Sequence, residues 1–495
     1  MPTTRTVARV LGVLAAATTG LVAVQGARRR GTARPAEAGG VQTSRRAARN
    51  AALAGVGAKA GGHYAIHRAR RAFASAERHA ELDTQFEMQT AELVTEALGN
   101  MKGAMMKLGQ MASYLDQGMP PQVREALAEL QSNAPPMAPE LAAQVVREEL
   151  GAEPEDVFAE WDAHPIASAS IGQVHRAITR DGRAVAVKVQ YPGVGDAIRA
   201  DLGNAGLLFG AMGMLFPGLE PGPLVEELRE RLVEELDYRI EADNQQMFAD
   251  YYRDHPFIHV PDVLAELSTE RVLTTELAEG VRFEEMESWD VAQRDLAAEA
   301  IFRFVFGSLY RLHAFNGDPH PGNYLFRPDG RVTFLDFGLV KRFTPEEIAV
   351  LESMIKAMVL DHDIPRYRAI LTRVGLLTAD APLTDAEIES YFGHFYDFVL
   401  RDETATITPE YASETVRRFF DTSGPHGEVM KAANVPPAFV IIQRINLGLY
   451  AFFGQLRATA NWRRICEELW RIVGGPPTTE LGRQAASWAL RSPST

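Results

Sequence analysis

Asp318-Pro319-His320-Pro321-Gly322-Asn323, followed by Phe334-Leu335-Asp336-Phe337-Gly338, is the stretch from which the fold of this chain is read. Asn323 lies five residues after Asp318, and Asp336 lies thirteen after Asn323. The turn signal Pro328-Asp329-Gly330 between them predicts a short strand pair, which leaves Asp336 at a strand end where ligands converge. Asn323 and Asp336 offer hard oxygen donors, a choice that suits Mg2+ and not zinc. Asp318 stands at the interval from Asn323 that sets a carboxylate beside a phosphoryl acceptor. His320, between two prolines, reads as structural or supporting, because phosphoryl transfer rests mainly on positioning and electrostatics.

Four upstream elements fall in the order of a kinase. Ala167-Ser168-Ala169-Ser170-Ile171-Gly172-Gln173-Val174 has the spacing of the phosphate loop G-x-G-x-x-G-x-V, with alanine at the first two glycines. Ala167, Ser168, Ala169, Ser170, Gly172 and Val174 are therefore expected to contact nucleotide. Alanine lacks the positive-φ freedom of glycine, so this loop should grip phosphates differently. Fourteen residues on, the alternating run Ala184-Val185-Ala186-Val187-Lys188-Val189 presents Lys188 where a kinase strand presents its ATP-phosphate lysine. On its own Lys188 would read as a surface lysine of an edge strand. Leu224–Phe248 reads as an amphipathic helix whose acids mostly face solvent. One of them, taken here as Glu241, should pair with Lys188, since an unpaired buried lysine is costly. Arg271–Leu277 has strand character and leads into Ala278-Glu279-Gly280, a hinge whose main chain at Glu276, Leu277 and Ala278 would bind adenine.

Two features of the ordinary protein kinases are missing. Asn316 and Gly317 precede Asp318, so no His-Arg pair is present to read a phosphorylated activation loop. Gly338 is followed within seven residues by Pro345-Glu346-Glu347, which opens a helix, with no Ala-Pro-Glu element. The platform for a protein substrate is absent or much shortened.

The 495 residues exceed what one hydrophobic core holds, and 46% hydrophobic with 23% charged residues excludes collagen-like and wholly disordered chains. A single cysteine, Cys466, excludes an internal disulfide and a cysteine-built zinc site, and suits a reducing cytoplasm. Residues 1–80 hold fourteen Lys/Arg and two acids, so a basic arm of +12 precedes a body of −26. Such an arm fits anionic lipid, whereas the acidic body argues against nucleic acid. Val10–Ala27 is uncharged between Arg9 and Arg28. It reads as a membrane-associated helix, with a cleavable export signal and an ordinary soluble helix as alternatives. Arg28-Arg29-Arg30 behind it would keep the body in the cytoplasm. Phe439–Leu456 contains Arg444 and Asn446 and reads as a buried helix.

Lys107-Leu108-Gly109-Gln110, the alanine-rich loop, Glu235-Leu236-Asp237, Glu241, Asp318–Asn323 and Leu335–Gly338 together resemble the UbiB/AarF (ABC1, ADCK) family of atypical kinases. The resemblance is strong over about residues 95–345. It implies an α+β, bilobal protein-kinase-like fold with an N-terminal helical extension and a mainly helical C-lobe. Residues 1–30 would be the membrane-associated helix, 31–80 a basic linker, 81–160 the extension carrying K-x-G-Q, 161–280 the N-lobe and hinge, 281–475 the C-lobe, and 476–495 a tail. Lys107 and Gln110 would lie across the active site, with Lys107 near Glu235 and Asp237 in a regulatory or catalytic role. ATP and Mg2+ are the implied ligands. Anionic membrane lipid, a quinone precursor and enzymes of a lipid pathway are the implied partners. ATPase or small-molecule kinase activity supporting isoprenoid-quinone or lipid metabolism would follow. A protein Ser/Thr kinase and a non-catalytic nucleotide-responsive scaffold are the alternatives.

Overall fold

Along β3 (Ala184–Gln190), Val185, Val187 and Val189 alternate with Ala184, Ala186, Lys188 and Gln190, so one face of the strand is wholly apolar. In the computed structural model, which describes residues 138–491 apart from 170, 197, 199–233, 318, 421–426, 428 and 430–436, β3 is an inner strand. It pairs antiparallel with β2 (Gly172–Thr179) and β5 (Val272–Glu276), and β1 (Phe158–Ala169) completes a four-stranded sheet of order β1-β2-β3-β5. The expectations for Lys107, Gln110, Ser170, Asp318 and the N-terminal arm fall outside the described residues.

The valine face is covered by α1 (Pro139–Leu150). That helix starts on a proline and ends at Gly151 in the left-handed conformation, its N–H bonded to Arg147 O. Ala142, Val145 and Val146 form its apolar stripe and pack on Val185, Val187, Val189 and Val272. This moves the boundary expected at residue 161. The stripe has the sheet as its cover, and β1 already begins at Phe158, so the sheet-bearing part starts near residue 139.

The opposite face, which carries Lys188, is covered by α2 (Tyr238–Tyr251), with Tyr238 and Ala242 beside Ile171 and Leu273. The helix expected over Leu224–Phe248 is interrupted: Glu234 is still helical, a turn follows at 235–237, α2 begins at Tyr238, and 224–233 lies outside the described residues. The cause is Asp237, whose side chain accepts from Arg239 N and caps the helix; aspartate favours a helix start over an interior.

Beyond β5 the chain crosses at Gly280 (φ 152), where a Cβ would come within 2.9 Å of Leu325 Cβ, and Val281 then exchanges two hydrogen bonds with Phe326. The rest is mainly helical, around α3 (Val291–Gly307), whose Phe302 and Phe304 are buried with Phe315, Phe334, Phe337 and Trp462. Asp290 caps α3. Three short pairings carry the functional loops. β7 (Tyr324–Phe326) pairs with β8 (Val332–Phe334), β4 (Ile258–His259) runs parallel to β8, and β6 (Ala314–Asn316) pairs with β9 (Val340–Arg342). The helices α4 (Pro345–Ile355), α5 (Pro437–Leu456), α6 (Trp462–Leu469) and α7 (Glu480–Arg491) follow. In α5, Leu447, Leu449, Phe452 and Phe453 are buried, as expected of a core helix. No helix among the described residues is long and apolar enough to cross a membrane.

Residues 476–495 were expected to be a mere tail. The structure instead folds 480–491 as α7, because Leu481 and Trp488, seven residues apart, share a face that packs on the core. Trp488 stacks on Tyr252 and donates from Nε1 to Arg253 O at 3.0 Å. It also meets His255 edge-on, with ring centres 4.5 Å apart. His255 Nδ1 accepts from Ile258 N, which leaves the ring neutral in this pocket. Burial, helped by the positive charge of Arg303, pushes its pKa down to about 3. In the unfolded chain the ring would titrate near its ordinary value of about 6.5. The unfolded state thus binds the extra proton first, and stability is lost as pH falls from about 6.5 toward 3, at about 1.4 kcal/mol per pH unit. Urea melts at pH 7 and pH 5 should differ by about 2 kcal/mol from this site, a difference removed in His255→Gln. An unchanged pH slope in the variant would refute the assignment.

Candidate active site

The β7–β8 hairpin turns at Asp329-Gly330, with Gly330 at φ 86. Tyr324 faces Phe334, and the ladder runs one step further, Leu335 N donating to Asn323 O at 3.0 Å. Antiparallel pairing thereby brings Asn323 and Asp336, thirteen residues apart in the chain, to the same end of one hairpin. Asp336 is held from two sides. Gly338 N donates to its Oδ1 at 2.9 Å, and Asn316 Nδ2 donates to its carbonyl at 2.8 Å. His320 Nδ1 accepts from Gly322 N at 3.0 Å, a contact that shapes the loop before Asn323.

Lys188 meets this hairpin from the sheet. Its Nζ donates to both Glu241 carboxylate oxygens at 2.8 Å. A Cβ on Gly338 would stand 3.3 Å from Asp336 Oδ1 and 3.7 Å from Glu241 Oε2, so both carboxylates border one space. Burial pushes the Lys188 ammonium toward neutrality, yet the charges of Glu241 and Asp336 outweigh it and hold its pKa well above the ordinary lysine range. Burial raises the Glu241 pKa, and Lys188 opposes that rise. The pair is an ammonium with a carboxylate at neutral pH. Two of the three Lys188 N–H bonds point at Glu241, which leaves a donor for an anion.

The sequence pattern brings other residues to this space without singling them out. Asn244, one turn after Glu241, donates from Nδ2 to Phe337 O and accepts from Arg342, tying α2 to the segment that carries Asp336. Tyr238, one turn before Glu241, lies under the Lys188 ammonium. Helical spacing from Glu241 was the signal for both.

The alanine-rich stretch is a tight hairpin. Ala167 pairs with Val174, Ser168 with Gln173 and Ala169 with Gly172. Neither alanine is in the left-handed region. A Cβ at Gly172 would lie 2.2 Å from Val189 O, so the turn presses on β3 where only glycine fits. In the hinge, Glu276 N donates to Asp262 O and Leu277 N to Ala184 O, so an adenine contact by either N–H would have to displace a protein carbonyl. The Glu276 side chain contacts His259 at 3.3 Å. Asp237 caps α2 and takes two contacts from Arg239, at 2.8 and 2.7 Å, which hold its carboxyl below the usual range; Glu235 sits in the turn before it.

Asn323 and Asp336 are a two-residue oxygen set, and no group of three or more His, Cys, Asp or Glu among the described residues could hold a metal by itself. That chemistry fits Mg2+, which takes its remaining ligands from phosphates and water. A separate cavity of about 490 Å³ opens among the C-terminal helices beside His394 and Asp397. It contains none of the residues named from the sequence. The His394 nitrogens are both engaged, with Asp397 at 2.8 Å and Thr415 at 2.9 Å.

The model of the ABC1 atypical kinase-like domain matches residues 129–369. The mitochondrial atypical kinase COQ8B of Rattus norvegicus is 35% identical over 258 residues, covering 52% of this chain and 49% of that protein. AarF domain-containing protein kinase 1 of Mus musculus is 35% identical over 280 residues, covering 54% and 53%. The chain spans about half the length of these curated relatives. Among solved structures, Rv3197 of Mycobacterium tuberculosis, in complex with erythromycin, aligns with a TM-score of 0.59 at 32% identity, covering 80% of this chain and all of that one.

Proposed function

The chain belongs to the ABC1 (UbiB/AarF) family of atypical kinase-like proteins, and on that premise we propose that it binds Mg-ATP between two lobes of a kinase-like fold. The observation that carries the reading is the ion pair of Lys188 with Glu241 beside the hairpin end bearing Asn323 and Asp336. Lys188 holds phosphate charge, kept protonated and aimed by Glu241. Asn323 and Asp336 hold Mg2+, while Ala167–Val174 and the hinge at Glu276–Ala278 enclose the nucleotide. Asp318 orients a water or an acceptor hydroxyl and takes its proton. When bound, Mg-ATP supplies the transferable phosphoryl group and the metal neutralises its developing charge. Lys107 and Gln110, near Glu235 and Asp237, screen the site from protein substrates.

The acceptor is water or a small lipophilic molecule beside a membrane, in support of isoprenoid-quinone or lipid metabolism. Two observations favour this over protein phosphorylation. Six residues separate Gly338 from α4, three of them in β9. The solved relative is in complex with a small molecule, erythromycin. The test is ATP hydrolysis by the purified chain with Mg2+, with and without vesicles of anionic lipid. Turnover raised several-fold by the vesicles is the expected result. Tight nucleotide binding with no turnover in any condition would favour a scaffold, and efficient phosphorylation of a protein in trans would overturn the small-molecule reading.

A further inference from the structure

Two buried amides hold consecutive carbonyls of the segment that carries Asp336. Asn316 Nδ2 donates to Asp336 O at 2.8 Å from β6, and Asn244 Nδ2 donates to Phe337 O at 3.2 Å from α2. The first grip comes from the strand that β9 pairs with, so it ties the segment to its own neighbours. The second reaches in from the helix that carries Glu241. Glu241, Asn244 and Phe248 recur at helical spacing and share one buried face of α2. The other two also meet the segment: Phe248 packs on the Phe337 ring with centres 5.0 Å apart, and Glu241 Oε2 borders the space over Gly338. Leucine at position 244 would favour the helix more and would need no partner in this core. Packing therefore does not explain the amide.

Its partners do. The Arg342 guanidinium donates to Asn244 Oδ1 at 3.1 Å. A guanidinium only donates and a carbonyl only accepts, so the amide stands one way round, with Nδ2 on Phe337 O. Arg342 is exposed at the end of β9, and pairing with Ala314 fixes its main chain. A kinase-like site works only when the lysine–glutamate pair and the metal-holding aspartate are in place together. Here they lie on separate elements, Glu241 on α2 and Asp336 ahead of β9. We propose that Asn244, turned by Arg342, is a positioning residue that couples the two, fixing the main chain at Phe337 so that the Asp336 carboxylate and the Lys188–Glu241 pair keep one geometry. The inference rests on the Mg-nucleotide reading of this site. The metal contact falls to Asp336, and Asn244 acts on it only through the main chain.

The test is calorimetric titration of the full chain, of Arg342→Met, of Asn244→Leu and of the double variant with ADP, in Mg2+ and again in EDTA, beside hydrogen exchange of the free proteins. Arg342 is exposed, so its substitution leaves folding intact even where Asn244→Leu disturbs the core. The expected result is Mg-ADP binding weaker by about tenfold in Asn244→Leu and about threefold in Arg342→Met, as for partners that stand behind a metal ligand. Binding of ADP in EDTA should stay within about twofold of wild type in both. Exchange in the peptide spanning 335–340 should rise about tenfold while β1–β3 stays unchanged. The double variant should lose no more than Asn244→Leu alone, because Arg342 acts through the amide. Unchanged Mg-ADP affinity would overturn the proposal and leave Asn244 as packing alone. Equal losses in Mg2+ and in EDTA would also overturn it, because the effect would then not be on the metal side. A wild-type chain that binds ADP in neither condition would remove the Mg-nucleotide reading; exchange then decides the coupling alone, and an unchanged 335–340 peptide would overturn it.

Discussion

Asp336→Asn is expected to reduce Mg-dependent ATP turnover by roughly 100-fold or more while leaving the fold intact. The substitution is isosteric, and its amide oxygen can keep the hydrogen bond from Gly338 N that now reaches Oδ1. The Asn316 bond to the residue 336 carbonyl is untouched, as is the ladder step from Leu335 to Asn323. What changes is charge. Asp336 is the charged member of the oxygen pair proposed for Mg2+, and a neutral amide is a much weaker ligand for a hard cation. Its charge also acts on Lys188 and Glu241, so the variant should shift the balance of that ion pair. Steady-state hydrolysis across a Mg2+ titration, beside a melting curve, checks both parts. Reduced turnover at low Mg2+ that recovers in part at high Mg2+ would identify a ligand defect. Full turnover at ordinary Mg2+ would sink the mechanism.

Arg303→Met is expected to remove about 3–5 kcal/mol of stability, for a reason remote from the active site. Arg303 lies on α3 with 4% of its side chain exposed, and donates to Glu299 at 2.7 Å, Glu468 at 2.8 Å and Thr479 at 2.9 Å. It is the cation shared by three helices, because Glu468 sits on α6 and Thr479 leads into α7. Close packing seals the cluster: a Cβ on Gly482 would fall 2.5 Å from Glu468 Oε2. Methionine fills much the same volume but strands two buried carboxylates. Removing one partner of such a network costs far more than the intact network contributes. Thermal or urea unfolding measures the loss. Adding Glu299→Gln and Glu468→Gln to the variant should restore a large part of it, and a loss under about 1 kcal/mol would show the cluster to be solvated.

Much of the candidate site was legible because its geometry is local. Asp329-Gly330 forces a tight hairpin, and pairing then sets Asn323 against Leu335 without reference to the rest of the molecule. Lys188 was assignable to one face of its strand by alternation alone. Glu241 was harder, since eight acids occur between Glu226 and Asp243 and periodicity does not say which turn of a helix will face a lysine 53 residues away. The choice followed from the kinase scheme; the structure accounts for it by starting α2 at Tyr238, which turns the Glu241 face toward β3.

Helix α1 falls at the end of the expected extension and α7 within the expected tail, and neither packing partner is legible in the sequence, because each is a short amphipathic segment. Both bury their stripes against elements distant in the chain: α1 against β3 and β5, and α7, through Leu481 and Trp488, against the core around Tyr252 and His255. Tyr238 and Asn244 went unremarked for a related reason, since a tyrosine or asparagine in a helix carries no chemical signal until a lysine or a carbonyl is placed beside it.

By itself the sequence determined the order of the elements, the hairpin that pairs Asn323 with Asp336, the face of β3 that carries Lys188 and the family to which the chain belongs, because turns, alternation and motif spacing act over a few residues. Only the tertiary structure decided which acid meets Lys188, which segments close the two faces of the sheet, how Arg303 binds three helices together and which carbonyl the Asn244 amide meets, because burial and charge pairing depend on residues that folding alone brings into contact.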